Sequence, residues 1–237
     1  MSNSLVIIPT YNEIENIERL IRDVFSLPKE FDILIVDDNS PDGTSVTVQH
    51  LMDEFPAKLF LEKRMNKLGL GTAYIHGFKW ALTKNYNYIF EMDADFSHNP
   101  TDLWRLYEAC DRDGASLSIG SRYKTGVNVV NWPLSRVLLS YTASLYVRLI
   151  TGMKVLDPTA GFVCYRRVVL EAINLDQIKF IGYAFQIEMK YITYKNKFKI
   201  KEIPIIFTDR LFGDSKLSKG IISEAIFGVL QMRLKIF

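Results

Sequence analysis

Residues 32–55 read DILIVDDNSPDGTSVTVQHLMDEF: an apolar β-branched run, a turn rich in Asp, Asn, Pro and Gly, then a segment with helical spacing. Strand, loop and helix in that order make one β-α unit. The unit repeats outward along the chain. LVII (5–8) leads to NEIENIERLIRDVFSL (12–27), AKLFLEK (57–63) to GLGTAYIHGFKWALTK (69–84), and YNYIFEM (86–92) to PTDLWRLYEAC (100–110). This alternation predicts an α/β fold, with a single Rossmann-like, mostly parallel sheet flanked by helices. Ligands of such sheets bind beyond the carboxyl ends of the strands. The segments PTYNE (9–13), DDNSPDGT (37–44), RMNKLGLGTA (64–73) and DADFSHNP (93–100) are therefore expected to converge on one edge.

The second half is less regular. It reads as a strand ASLSIGS (115–121), a long helix from about 133 to 150, a turn DPTAGF (157–162) and a helix near 183–196. A strand KIKEIPIIF (199–207), a loop TDRLFGDSK (208–216) and a final helix from about 219 complete it. No linker or low-complexity stretch marks a boundary, so one globular unit is expected.

With 237 residues and 48 % hydrophobic content the chain can fill a full core. Its formal charge of +2 gives no overall field for a nucleic-acid partner. Cys110 and Cys164 lack metal-type spacing and read as buried thiols of a reducing compartment. The apolar start, Leu5 to Ile8, is too short for a secretory signal, which points to the cytoplasm. The longest uncharged helical candidate, Val137 to Val147, falls short of the ~20 residues of a membrane span.

Dinucleotide binding loses its main support, because PTYNE contains no glycine, and no P-loop follows any strand. GLGTA (69–73) reads equally as a ligand-binding turn or as a helix start packed closely on the sheet. Asp37 and Asp38 end the second strand, where carboxylates accept hydrogen bonds from ribose hydroxyls or base amino groups; Asp38 could instead cap the turn NSPDG. Asp93 and Asp95, one residue apart, repel each other unless a cation, protons or water separates them. At a strand end they fit ligands for a divalent metal shared with phosphate oxygens; the alternative is a pair of solvated loop acids.

PTYNE, VDDNSPDGT (36–44), NKLGLGTAY (66–74), MDADFSHNP (92–100), GSRY (120–123), DPTAGF and GYAFQIEM (182–189) together resemble the polyprenol-phosphate (dolichyl-phosphate) mannosyltransferases. These belong to glycosyltransferase family 2 and have the GT-A fold. The resemblance implies inverting transfer of mannose from GDP-mannose to the phosphate of a polyprenol, with Mg²⁺ or Mn²⁺ as cofactor. It assigns Pro9, Tyr11, Glu13 and Asp38 to the nucleoside, and Asp93 and Asp95 to the metal against the diphosphate. Ser97 is expected to add an oxygen ligand, directly or through water, while His98 reads as a satisfied surface or supporting histidine. Arg210 and Lys216 would close over the donor phosphates with Gly213 as hinge, or else belong to a solvated basic loop. Arg122 and Ser140 match acceptor-phosphate positions, and Arg136, four residues from Ser140 on one helix face, is expected to join them; the plainer reading is that Arg136 and Arg148 solvate a long helix. Asp157 is expected to shape the sugar pocket.

Residues 1–217 are thus expected to form the GT-A catalytic domain. Residues 218–237 are expected to form an amphipathic helix, either packed on that domain or lying in a membrane interface, with Ile222, Ala225, Ile226, Val229 and Leu230 at helical spacing. Membrane association would then be peripheral, at the cytoplasmic face, or supplied by a separate membrane protein. Two alternatives remain: a family 2 enzyme using another nucleotide sugar, such as UDP-glucose, or a sugar-hydroxyl acceptor, and a non-catalytic nucleotide-sugar-binding subunit. A non-catalytic subunit predicts gaps in the donor or acceptor residues, and the sequence has none.

Overall fold

The computed structural model describes residues 2–209 and 219–234. In chain order the elements are β1 (Ser4–Thr10), α1 (Ile17–Phe25), β2 (Asp32–Asp37), α2 (Thr44–Glu54), β3 (Leu59–Lys63), α3 (Leu70–Leu82), β4 (Tyr88–Glu91) and α4 (Asp102–Asp111). They continue with β5 (Leu117–Ser121), β6 (Val129–Val130), α5 (Leu134–Thr151), β7 (Val163–Arg166), α6 (Arg167–Ala172), α7 (Tyr183–Lys195), β8 (Ile200–Pro204), β9 (Phe207–Thr208) and α8 (Lys219–Leu234). The expected β-α units are all present.

The main sheet has the order β3-β2-β1-β4-β7-β5-β8. β1 is flanked in parallel by β2 and β4, and its residues are almost all buried, because a parallel strand covered on both faces needs a continuous apolar run. α1 buries Ile17, Leu20, Ile21 and Val24, one stripe of a helix, against the face that also receives α2 and α4. α3, α6 and α7 cover the opposite face.

Two departures from the sequence reading shape the site. β7 was not expected; it is antiparallel to both β4 and β5 and inserts between them, so the sheet is mixed there. The expected strand 199–207 also divides. Ile200–Pro204 pairs with β5, whereas Phe207–Thr208 leaves the sheet at Pro204 and pairs with β6 in a separate two-stranded ribbon.

Close packing explains the glycines of the third unit. A Cβ on Gly71 would sit 2.8 Å from Phe185, and one on Gly77 would sit 2.7 Å from Ile7. GLGTA is therefore a helix start drawn tightly onto α7 and the sheet, with Gly69 at φ 102° ahead of α3. Gly77→Val should lower stability by about 1–3 kcal/mol through overpacking, read as a shifted urea midpoint with an unchanged slope.

Candidate active site

The loops after β1, β2 and β3 meet at one edge. Asn12, in the left-handed region, donates its N–H to Ser40 Oγ at 3.0 Å, and Glu13 N–H donates to Thr44 Oγ1 at 3.0 Å. Glu13 Oε2 accepts from Asn16 at 3.1 Å. Pro9 and Tyr11 remain half-buried at this edge, with the Lys67 ammonium 4.2 Å above the Tyr11 ring.

Asp37 and Asp38 divide their work. Asp37 accepts from Thr10 Oγ1 (2.8 Å), Ser40 Oγ (2.6 Å) and Ser40 N–H (3.0 Å), so the turn cap considered for Asp38 belongs to Asp37. Asp38 instead accepts from Arg64 Nε at 2.6 Å, and both side chains are nearly buried. Arg64 also donates to Thr72 Oγ1 at 2.7 Å, joining the ends of β2 and β3 to the start of α3. Arg64 was not singled out from sequence, although it stands first in the segment after β3.

Asp93 and Asp95 follow β4 on a strained loop. Phe96 adopts φ 59°, an unfavourable conformation for a bulky side chain, and Asp95 Oδ1 accepts from Ser97 N–H at 3.0 Å. Asp93 Oδ1 accepts from the Tyr74 hydroxyl at 3.4 Å. Burial, reinforced by the Asp93 charge, pushes the Tyr74 phenol well above its usual range and keeps it a donor. The turn at Gly161 runs beside Asp93 Oδ2, which would lie 3.9 Å from a Cβ there.

His98 is a buried supporting residue and not a surface one. Its ring stacks on Phe162 at 4.8 Å and meets Phe207 edge-on at 5.4 Å, and its Nδ1 accepts the Asp93 N–H at 3.3 Å. Burial lowers its pKa to about 4, so the neutral ring can accept that hydrogen bond at pH 7. Beneath the loop lies a buried polar chain to which the sequence analysis assigns no role, since lysine is rarely buried. Lys190 donates to Ala160 O at 2.6 Å and to Gln186 Oε1 at 2.9 Å, and Gln186 donates to Glu91. Desolvation drives the Glu91 carboxyl up and the Lys190 ammonium down, and their mutual attraction opposes both shifts.

On the other side, Arg122 forks onto Asp157 through Nε (2.8 Å) and Nη2 (2.6 Å), with Thr159 Oγ1 at 2.7 Å from Nη2. Asp157 is fully buried; burial alone would raise its pKa, but Arg122 outweighs this and holds it below the usual carboxylate range. Arg136 pairs with Asp209 at 2.7 Å and stacks 4.0 Å from the Trp132 ring centroid; Arg122 lies 5.7 Å from the same centroid. Ser140 accepts from the Tyr123 hydroxyl at 2.7 Å. Arg122, Arg136 and Ser140 thus gather around Trp132 and Tyr123. Phe207, 5.6 Å from Arg122, joins this group to His98 and the acidic loop. Arg210, Gly213 and Lys216 lie outside the described residues.

The structure thus sets the acidic loop of Asp93 and Asp95 and the group of Arg122, Arg136 and Ser140 on either side of His98 and Phe207. The profile described as "Glycosyl transferase family 2" matches residues 5–173. The chain is 45 % identical to the polyprenol monophosphomannose synthase of Mycolicibacterium smegmatis, over 98 % of this chain and 87 % of that one. It is 45 % identical to the undecaprenyl-phosphate mannosyltransferase of Micrococcus luteus, over 97 % and 93 %. It is 37 % identical to the dolichol-phosphate mannosyltransferase of Pyrococcus furiosus, over 92 % and 60 %. Among solved structures, glucosyl-3-phosphoglycerate synthase from Mycobacterium tuberculosis, in complex with Mn²⁺, UDP and glucosyl-3-phosphoglycerate, superposes with a TM-score of 0.69 at 18 % identity. That match covers 97 % of this chain and 78 % of the other, and it supports the fold. The chain belongs to glycosyltransferase family 2, among its polyprenol-phosphate mannosyltransferases.

Two outcomes follow from this geometry. Asp157→Asn leaves the Arg122 guanidinium buried and half-partnered, and should destabilise the protein by about 3–5 kcal/mol in chemical unfolding. His98 has a folded-state pKa near 4 against an ordinary value of 6.5. The unfolded state therefore binds more protons between these values, and stability falls as pH drops through that window. His98→Asn should flatten this part of the pH–stability curve.

Proposed function

We propose that the protein transfers mannose from GDP-mannose to the phosphate of a polyprenyl lipid, with inversion at the anomeric carbon. The observation that carries this reading is the pairing of a half-exposed dicarboxylate loop, Asp93 and Asp95, with the Arg122–Arg136–Ser140 group across the His98–Phe207 wall. Pro9, Tyr11, Glu13 and Asp38 receive the nucleoside in this reading, and Arg64 holds Asp38 in place.

The acidic loop has the right chemistry for Mg²⁺ or Mn²⁺. Its carboxylates are hard oxygen donors, and no cluster of three or more His, Cys, Asp or Glu side chains forms a metal cage among the described residues. Such an ion would take its remaining oxygens from diphosphate, water and Ser97. Bound there, it supplies Lewis-acid stabilisation of the charge that develops on the departing diphosphate.

On the acceptor side, a phosphate monoester has its second ionisation near roughly pH 6 and is largely dianionic at pH 7. It attacks without surrendering a proton, so the chain needs no strong general base. Asp157 suits that account, because both its oxygens are engaged by Arg122. Orientation and charge neutralisation are left to Arg122, Arg136 and Ser140. This reading puts the enzyme at the cytoplasmic face of a membrane, alone or beside a separate membrane protein.

The test is transfer of labelled sugar from GDP-mannose, UDP-glucose or UDP-N-acetylglucosamine to a polyprenyl phosphate, with and without Mn²⁺ or Mg²⁺. Metal-dependent, mannose-selective label in the lipid phase is expected, and Asp95→Ala should reduce it by roughly a hundredfold or more. Preference for a uridine donor would overturn the donor assignment. Unchanged transfer by Asp95→Ala would overturn the role of the acidic loop.

A further inference from the structure

Lys190 lies in the middle of α7 and is fully buried, with Gln186 one turn before it. An ammonium in a core is rare, because its desolvation is costly unless every N–H finds an acceptor. Lys190 meets that condition. Its Nζ donates to Ala160 O at 2.6 Å, to Gln186 Oε1 at 2.9 Å and to Gln186 O at 3.1 Å, which uses all three donors of the charged form. The Gln186 amide is oriented by the two charges beside it: its oxygen faces the ammonium, and its Nε2 donates to Glu91 Oε2. Cation, amide and carboxylate form one buried chain, and none of its members is exposed.

Both ends of this chain fasten a part of the site. Glu91 is the last residue of β4, two before Asp93, and its pairing with Val163 closes the antiparallel ladder between β4 and β7. Ala160 stands three residues after Asp157, the partner of Arg122, and one before Gly161. The Gly161 backbone runs past the acidic loop: a Cβ there would lie 3.9 Å from Asp93 Oδ2, 3.9 Å from Gln186 Nε2 and 4.0 Å from His98 Cε1. Lys190 and Gln186 carry the connection beyond the ladder, from the strand that leads into the acidic loop to the turn that holds Asp157. A hydrocarbon side chain would fill the same space without the desolvation cost, so the buried charge adds little stability. What the ammonium adds is a fixed place for the Ala160 carbonyl.

We propose that Lys190 is a positioning residue: by holding the 157–161 turn against the end of β4, it sets Asp93 for metal binding and keeps the acidic loop in register with Arg122. The inference rests on the reading of Asp93 and Asp95 as ligands of a divalent cation beside a nucleoside diphosphate, and deepens it. Residues that orient a ligand without touching the metal typically change metal affinity or activity by about ten- to a hundredfold when removed. The proposed nucleoside residues come from the loops after β1 and β2, and are expected to be indifferent to Lys190.

Lys190→Met removes the ammonium and leaves Glu91 buried without its counter-charge, so this variant is expected to lose stability. Lys190→Met/Glu91→Gln removes both charges and is expected to recover much of that loss, while still lacking a donor to Ala160. Parent and variants would be titrated with Mn²⁺ in the presence of GDP, with free Mn²⁺ read by electron paramagnetic resonance. GDP binding in EDTA would be measured by calorimetry, all below the lowest unfolding midpoint. Both variants are expected to bind Mn²⁺ roughly tenfold or more weakly, with GDP affinity in EDTA unchanged and kcat for mannosyl transfer reduced in step. Parent-like Mn²⁺ affinity in the double variant would overturn the proposal, because Lys190 would then be only the counter-charge of Glu91. An equal loss of metal-free GDP affinity would also overturn it, as a general loosening of the fold. A parent that binds no Mn²⁺ with GDP removes the metal reading and this inference together. A parent that binds Mn²⁺ with GDP but transfers no mannose to a polyprenyl phosphate sinks the mannosyl reading alone, and weaker Mn²⁺ binding by the double variant still supports the role of Lys190.

Discussion

The buried pair between Arg122 and Asp157 is the constraint on which the second half of the fold depends. Arg122 stands immediately after β5, and Asp157 opens the turn that leads into β7. Glu202 on β8 completes the arrangement by accepting the N–H groups of Leu156 and Asp157, each at 2.9 Å. One carboxylate–guanidinium contact thus registers β5, β7 and β8 at the edge where chemistry is expected. A buried ion pair adds little net stability compared with an apolar substitute, because desolvation offsets the attraction, yet losing one partner is costly. Its value is positional.

The same economy governs the acidic loop. Asp93 is held by the Tyr74 hydroxyl, by its own N–H on His98 and by the close passage of Gly161. Each contact comes from a different element: α3, the loop itself and the turn before β7. The carboxylate is aimed by its neighbours while staying half-exposed, as its proposed role toward a hydrated or phosphate-bound cation requires. His98 does this only while neutral, and its burial between Phe162 and Phe207 is what keeps it so.

The first half of the fold was legible because each parallel strand is covered on both faces and must read as an apolar run before its helix. β7 was not legible. Its four residues VCYR follow a turn directly, carry no alternation, and owe their place to pairing with β4 and β5, which are distant in sequence. The site shows the same split. Asp38, Asp93, Asp95 and Arg122 announce themselves by charge at strand ends, whereas nothing about Lys190, inside a helix, marks it as buried. The exchange of roles between Asp37 and Asp38 depends on which carboxylate meets Ser40 and which meets Arg64, and no spacing rule specifies that.

The proposed donor and acceptor sides are therefore built by different physics. The donor side comes from consecutive β-α units, whose loops converge because parallel strands all end at one edge. The acceptor side comes from β5, the β6–β9 ribbon and α5, brought together around Trp132 and Tyr123 by cation–aromatic stacking and the Arg122–Asp157 pair. β6 and β9 pair only because the chain leaves the sheet at Pro204, which lets Phe207 pack against both Trp132 and His98. That departure gives the two sides a shared wall. It also leaves α5 beside the Arg122–Arg136–Ser140 group, so the helix turns Arg136 and Ser140 toward that group and Leu138, Leu145 and Leu149 toward solvent.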